Sequence, residues 1–129
     1  MEKTQLNPWS WQDQYGYSQG WRVDQAQSVV FIAGQIALSP DGQLVGEGDF
    51  EAQCRQVFEN IRTVLDEAGA TFDAVVKVIV YMPDITNLPT YREVKAEFVT
   101  GKQPASTAIE VKGLAFPGLM VEVEAIAVL

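Results

Sequence analysis

The sequence predicts an α+β sandwich in the order β-β-α-β-α-β-β, with two helices on one face of a mixed sheet. Three observations carry that reading. Segments 50–68 and 88–98 repeat apolar side chains at helical spacing. The runs at 17–23, 28–33, 74–82, 104–111 and 119–128 have strand length, are rich in β-branched and aromatic residues, and alternate or run apolar throughout. Strands grouped around two amphipathic helices pack as a sheet with helices on one face. The chain has 129 residues, 47% of them hydrophobic, which suits one domain with its own core and is short for two. We expect a single domain over 1–129, with 1–16 as an aromatic N-terminal extension.

In chain order, the extension contains Asn7-Pro8-Trp9-Ser10-Trp11 and Tyr15-Gly16-Tyr17. Aromatic side chains bury large areas wherever they dock. The extension is therefore expected to pack on the domain's own surface, the alternative being one wall of a largely apolar pocket. Tyr17 to Val23 reads as a first strand, Asp24-Gln25-Ala26-Gln27 as a polar turn, and Ser28 to Ala33 as a dense β-branched strand, so the two strands are expected to pair as a hairpin. Ser39-Pro40-Asp41-Gly42 is a turn signal, and Asp49 is placed to cap the helix that follows. That helix puts Phe50, Cys54, Val57, Phe58, Ile61, Val64, Leu65 and Ala68 on one stripe and Glu51, Arg55, Glu59, Arg62 and Asp66 on the other, with Gly69 as its stop.

Ala74 to Met82 carries one charge, Lys77, and reads as a central strand covered on both faces. Pro83-Asp84 ends it. Thr86 or Asn87 can cap the second helix, whose inner stripe is Leu88, Tyr91, Val94 or Lys95, and Phe98, with Gly101 as the exit. Two strands complete the chain. Two helices cannot hide both faces of so apolar a sheet, and association with further copies is the simplest cover for the second face.

Composition removes several kinds of chemistry. The chain has no histidine, so a Ser-His-Asp triad, a Cys-His pair and an HExxH zinc site are impossible. Its one cysteine, Cys54, cannot form an internal disulfide and suits a reducing, cytoplasmic setting. The segment Asp41 to Gly48 lacks both the Walker lysine and the GxGxxG spacing of a phosphate cradle. With 9 Lys and Arg against 17 Asp and Glu, a net charge of −8 and scattered basic residues, no nucleic-acid partner is expected. No apolar run approaches spanning length, so no membrane partner is expected either.

The last strand focuses attention on carboxylates. In Val121-Glu122-Val123-Glu124-Ala125 the two glutamates share a strand face, about 7 Å apart along the backbone. Alternation of this kind is ordinary where one sheet face meets water. A carboxylate in a covered site must instead be paired, hydrogen-bonded or protonated. Lys77 is either a depressed-pKa amine or a lysine that reaches to water, and the second is the simpler account.

Several stretches together resemble the RidA/YjgF family of reactive-intermediate deaminases. They are Gly34-Gln35-Ile36, Ala52-Gln53-Cys54-Arg55-Gln56 with Asn60, the strand from Asp73 to Val80, Pro104-Ala105-Ser106-Thr107, and Val121 to Ala127. The resemblance runs from about Tyr17 to the C-terminus. It implies a chorismate-mutase-like fold assembled as a homotrimer, the sheets forming an inner barrel with small-molecule pockets between subunits. It also implies hydrolysis of imines and enamines such as 2-aminoacrylate to the keto acid and ammonia, with no metal or organic cofactor.

Carried over residue by residue, the resemblance makes Glu122 the catalytic residue that orients or activates water. Tyr17, Thr107, Glu124 and the backbone at Gly34 are placed at the substrate. The arginine with which deaminase members clamp a substrate carboxylate, within Pro-Ala-Arg-Ser, is replaced by Ser106, and the small residue or cysteine two positions on is Ala108. A serine hydroxyl cannot reproduce a bidentate guanidinium. Arg92, aligned with a pocket asparagine of many members, is a candidate replacement, although helix-surface charges are commonly exposed. Two function classes follow: a cofactor-independent imine or enamine hydrolase, and a trimeric small-molecule-binding protein that has lost turnover. Endoribonuclease activity, attached to some members, ranks last for want of histidine and of positive charge.

Overall fold

Two amphipathic helices lie against one face of a four-stranded mixed sheet, and the computed structural model describes them within residues 1–129. Helix α1 spans Phe50–Glu67. Its cap is the predicted one, with the Asp49 carboxylate accepting from the Ala52 amide at 3.1 Å, and Gly69 after its end adopts the left-handed φ of +71° that favours glycine. Helix α2 spans Leu88–Phe98. Neither Thr86 nor Asn87 caps it by a side chain. A 3-10 turn, Ile85–Asn87, leads into it, and the stronger acceptor Asp84 caps that turn by accepting from the Thr86 amide at 2.9 Å. The hydrogen bonds from the Thr86 hydroxyl and amide hold the Asp84 carboxyl below its ordinary range.

The sheet contains β3 (Val29–Ile36), β4 (Val75–Met82), β5 (Ala105–Glu110) and β6 (Glu122–Val128), in the order β3-β6-β4-β5. β5 runs parallel to β4, and the other neighbours are antiparallel. Register fixes which side chains share a face. Ser106, Val78 and Ala125 form one row and Ala108, Val80 and Val123 another, both on the helix side. Thr107, Ile79 and Glu124, and then Ile109, Tyr81 and Glu122, form the rows on the opposite side.

The helix side holds the core. Cys54, Val57, Phe58, Ile61 and Leu65 of α1 and Tyr91 and Val94 of α2 are buried against Val78, Val80, Val123 and Ala125. Gln53 is fully buried among them because its amide is satisfied: Nε2 donates to the carbonyls of Gly46 and Gly118, and Oε1 accepts from the Met120 amide at 2.8 Å. The opposite face has no cover within the chain. β4 is buried on one side and half-buried on the other, and Phe31 is 77% exposed. Of the two covers predicted for β4, the chain supplies one.

The predicted hairpin between the first two strands does not form. β2 (Gly20–Asp24) pairs instead with β1 (Glu2–Leu6), a polar strand within the predicted N-terminal extension. The connector explains this. The amides of Gln27 and Ser28 both donate to the Leu129 carbonyl, and Leu129 donates back to Ser28, so the chain after β2 is tied to the end of β6. The segment before β2 crosses to the far edge, where Ser18 bridges Ala105 and the Trp21 indole donates to the Gln103 carbonyl at 2.9 Å. β3 also runs farther than predicted, through Gly34 to Ile36, with a shift of register between Ile32 and Gln35.

Candidate functional site

At the start of β6, on the open face, Glu122, Glu124 and Tyr81 line a cavity of about 360 Å³ with Val111, Gly113, Leu114 and Ala115. The two carboxylates are used differently. The Tyr81 hydroxyl donates to Glu124 Oε1, and that bond, with burial and the nearby charges of Glu124 and Glu122, raises the phenol above its ordinary range. Glu122 accepts no side-chain hydrogen bond within the chain and lies against Gly34. A Cβ at position 34 would overlap the Glu122 carboxylate. Glycine there leaves the Glu122 carboxylate its place against the strand, and any larger residue would displace it. Asn60 fixes the same strand end, its amide donating to the carbonyls of Ile36 and Leu38 at 2.9 and 3.0 Å. The arrangement offers one engaged carboxylate and one available as a proton acceptor.

A second cavity, about 250 Å³, lies on the helix side of the sheet. Tyr17, Arg92 and Ser106 meet there, with Tyr15, Tyr91 and Lys95 among the other walls. The 3-10 turn Trp11–Tyr15 brings Tyr15 under the Arg92 guanidinium, 4.8 Å from the ring centroid, a cation–π distance. Arg92 is half-buried and faces this cavity, so it is more than an exposed helix charge.

The candidate residues therefore divide between the two faces. Ser106 is level with Val78 and Glu122 with Tyr81, and residues an odd number apart on one strand point to opposite sides. Thr107 joins neither cavity. Its hydroxyl accepts from the Lys77 ammonium at 3.2 Å, which shows Lys77 reaching along the open face. Trp9 and Trp11 also line neither cavity. They stack on one another at 6.4 Å, half exposed, with Tyr17 edge-on to Trp11, so neither the expected burial on the domain surface nor the pocket-wall alternative describes these two rings.

Sequence reasoning missed Tyr81 and Lys95 as site residues. Tyr81 carried no signal in the sequence, because its place opposite Glu122 depends on the pairing of β4 with β6. Lys95 stood on the predicted inner stripe of α2, where a charge is anomalous, and it is 4% exposed. Cys54 is fully buried and its thiol is pushed up to about 12, chiefly by burial, so it is not a nucleophile. No helix is long and apolar enough to cross a membrane.

Comparison with known proteins identifies the family and the fold. The family model described as Endoribonuclease L-PSP matches residues 12–129. A RutC family protein of Pyrococcus abyssi is 39% identical over 111 residues, covering 86% of this chain and 84% of the relative. The mouse protein named 2-iminobutanoate/2-iminopropanoate deaminase is 38% identical over 113 residues, covering 87% and 80%. The crystal structure of YyfB from Yersinia pestis, a Rid-family protein described as of unknown function, superposes with a TM-score of 0.90 at 35% identity, covering all of both chains. Sequence motifs, strand order and these likenesses converge, and the chain is a member of the RidA/YjgF family.

Proposed function

We propose that this protein hydrolyses reactive imines or enamines, without a cofactor, in pockets formed between the subunits of a homotrimer. The observation that carries the reading is Glu122: a carboxylate at the edge of an open cavity, given room by Gly34 and left without a partner while Tyr81 occupies Glu124. In the proposed step, water adds to the imine carbon as Glu122 accepts one of its protons, and the imine nitrogen is protonated to give a carbinolamine. The carbinolamine C–N bond then breaks as its hydroxyl loses a proton, releasing ammonia and the carbonyl product. A relative named as a 2-iminobutanoate/2-iminopropanoate deaminase supports the substrate class.

The trimer is supported by two features. The open face carries Phe31, Ile79 and Ile126 without cover, and β3 and β5 form opposite edges of the sheet. A closed ring would set the β5 edge of one copy beside the β3 edge of the next.

The test is release of ammonia or keto acid from imines generated in situ by an amino-acid oxidase. Acceleration by the wild type that is lost in Glu122→Gln is the expected result. No acceleration over buffer with small, branched or aromatic amino acids would replace this reading with a binding protein. Ser106 favours that second reading, because losing a charge-assisted contact to a carboxylate costs about 1.5–3 kcal/mol.

A further inference from the structure

Arg92 and Lys95 are two of only nine basic side chains in a chain of net charge −8, and they converge on one cavity. Neither is within ion-pair distance of a carboxylate, although every other arginine in the chain forms a salt bridge. Lys95 is almost fully buried, and its one hydrogen-bond partner is the neutral Gly16 carbonyl at 2.9 Å. A buried ammonium without a counter-charge is costly, and the cost falls when an anion enters. The Ser106 hydroxyl lines the same space and makes no hydrogen bond within the chain. The walls are otherwise largely aromatic or apolar: Tyr15, Tyr17, Leu88 and Ala108.

We infer that this cavity binds a small monocarboxylate, with Arg92 and Lys95 of α2 holding the anion and Ser106 adding a hydroxyl. In this arrangement α2 supplies the clamp that deaminase relatives of the family draw from β5. The inference deepens the functional reading above, on which it rests for the substrate class, since the anion would be the carboxylate of an α-imino or α-keto acid. A cavity of about 250 Å³ admits a short or branched side chain beside that carboxylate.

The experiment is calorimetric titration of the full-length protein with 2-oxobutanoate, its methyl ester and inorganic phosphate. The keto acid is expected to bind at least tenfold more tightly than the ester, and Arg92→Gln and Lys95→Met are each expected to weaken it about tenfold or more. Arg92 is half-exposed, so its variant keeps the test valid should the buried Lys95 variant fail to fold. Burial, with the neighbouring Arg92 charge, lowers the Lys95 ammonium to about 8. Affinity should therefore fall as pH rises through that value in the wild type and not in Lys95→Met. The other titratable groups around the site are Asp13, Tyr15, Tyr17, Tyr91 and Glu93. Equal binding of ester and acid, phosphate binding as tightly as the keto acid, or full affinity in both variants would each overturn the inference. Imine hydrolysis that depends on Glu122 but is indifferent to Arg92 and Lys95 would sink the clamp and leave the hydrolase. Carboxylate binding that depends on both residues without turnover would do the reverse.

Discussion

The two faces of the sheet are built from the same strands and obey different rules. On the helix side, Val78, Val80, Val123 and Ala125 meet Cys54, Val57, Phe58 and Ile61 of α1, and all are buried. On the other side the alternate residues of those strands include Lys77, Tyr81, Glu122 and Glu124 beside Ile79 and Ile126, and each is only half-buried. A period of two hands successive side chains to opposite environments, so one strand serves a dry core and a wet, charged surface at once. Stability is concentrated on the first face. The proposed proton acceptor, Glu122, stands on the second, where holding a charged carboxylate costs less.

The largest expected effect tests the dry face. Phe58→Ala removes a ring packed between Phe72, Tyr91 and Phe98 and should destabilise by about 3–5 kcal/mol in denaturant unfolding. On the wet face, Glu122→Gln should lower kcat/KM for imine hydrolysis about 10²–10⁴-fold with an unchanged unfolding midpoint. Comparable losses of stability and activity in both variants would erase the contrast between the faces. Phe31→Asp should leave the circular dichroism spectrum unchanged and shift the light-scattering mass from trimer to monomer; a wild type that is already monomeric would remove the intersubunit pocket. Gly34→Ala should push the Glu122 carboxylate aside, because the added Cβ meets a flexible side chain and not the backbone. The expected loss is about tenfold in kcat, with the fold retained.

The smallest effect belongs to Lys95. Its ammonium is lowered to about 8 in the folded state against an ordinary value of 10.5, so the unfolded chain binds more protons between those values. Stability should therefore rise as pH climbs from about 8 toward 10.5, and thermal melts of Lys95→Met should lack that rise. An identical slope in the variant would show that the lysine keeps its charge when folded.

Much of the fold was legible because local chemistry and tertiary structure agree. The Asp49 cap, the α1 stripe and the Gly69 stop all stand where helical spacing and capping place them. The N-terminal region was not legible, because its outcome turns on competition between distant partners. Residues 20–24 could pair with β3 by proximity, yet the backbone bonds of Gln27 and Ser28 to Leu129 and the bridge of Ser18 to Ala105 draw the segment to the far edge. β1 escaped notice because Glu2–Leu6 is polar and carries almost no hydrophobic signal. The site divides in the same way. Glu122 and Gly34 could be named from the family resemblance, whereas their contact, and the meeting of Arg92, Lys95 and Ser106, required the register of the sheet and the angle of α2.

The sequence by itself determined the α+β class, the two helices with their buried stripes, the absence of histidine chemistry, and the placing of Glu122 and Glu124 on one strand face. These follow from composition and from periods of 2 and 3.6, which are properties of a single segment. Tertiary structure decided which strands pair, which face stays open, which glutamate Tyr81 engages, and that two basic side chains of α2 enter one cavity without counter-charges. Those outcomes depend on free energies shared among segments far apart in the chain, and no single segment encodes them.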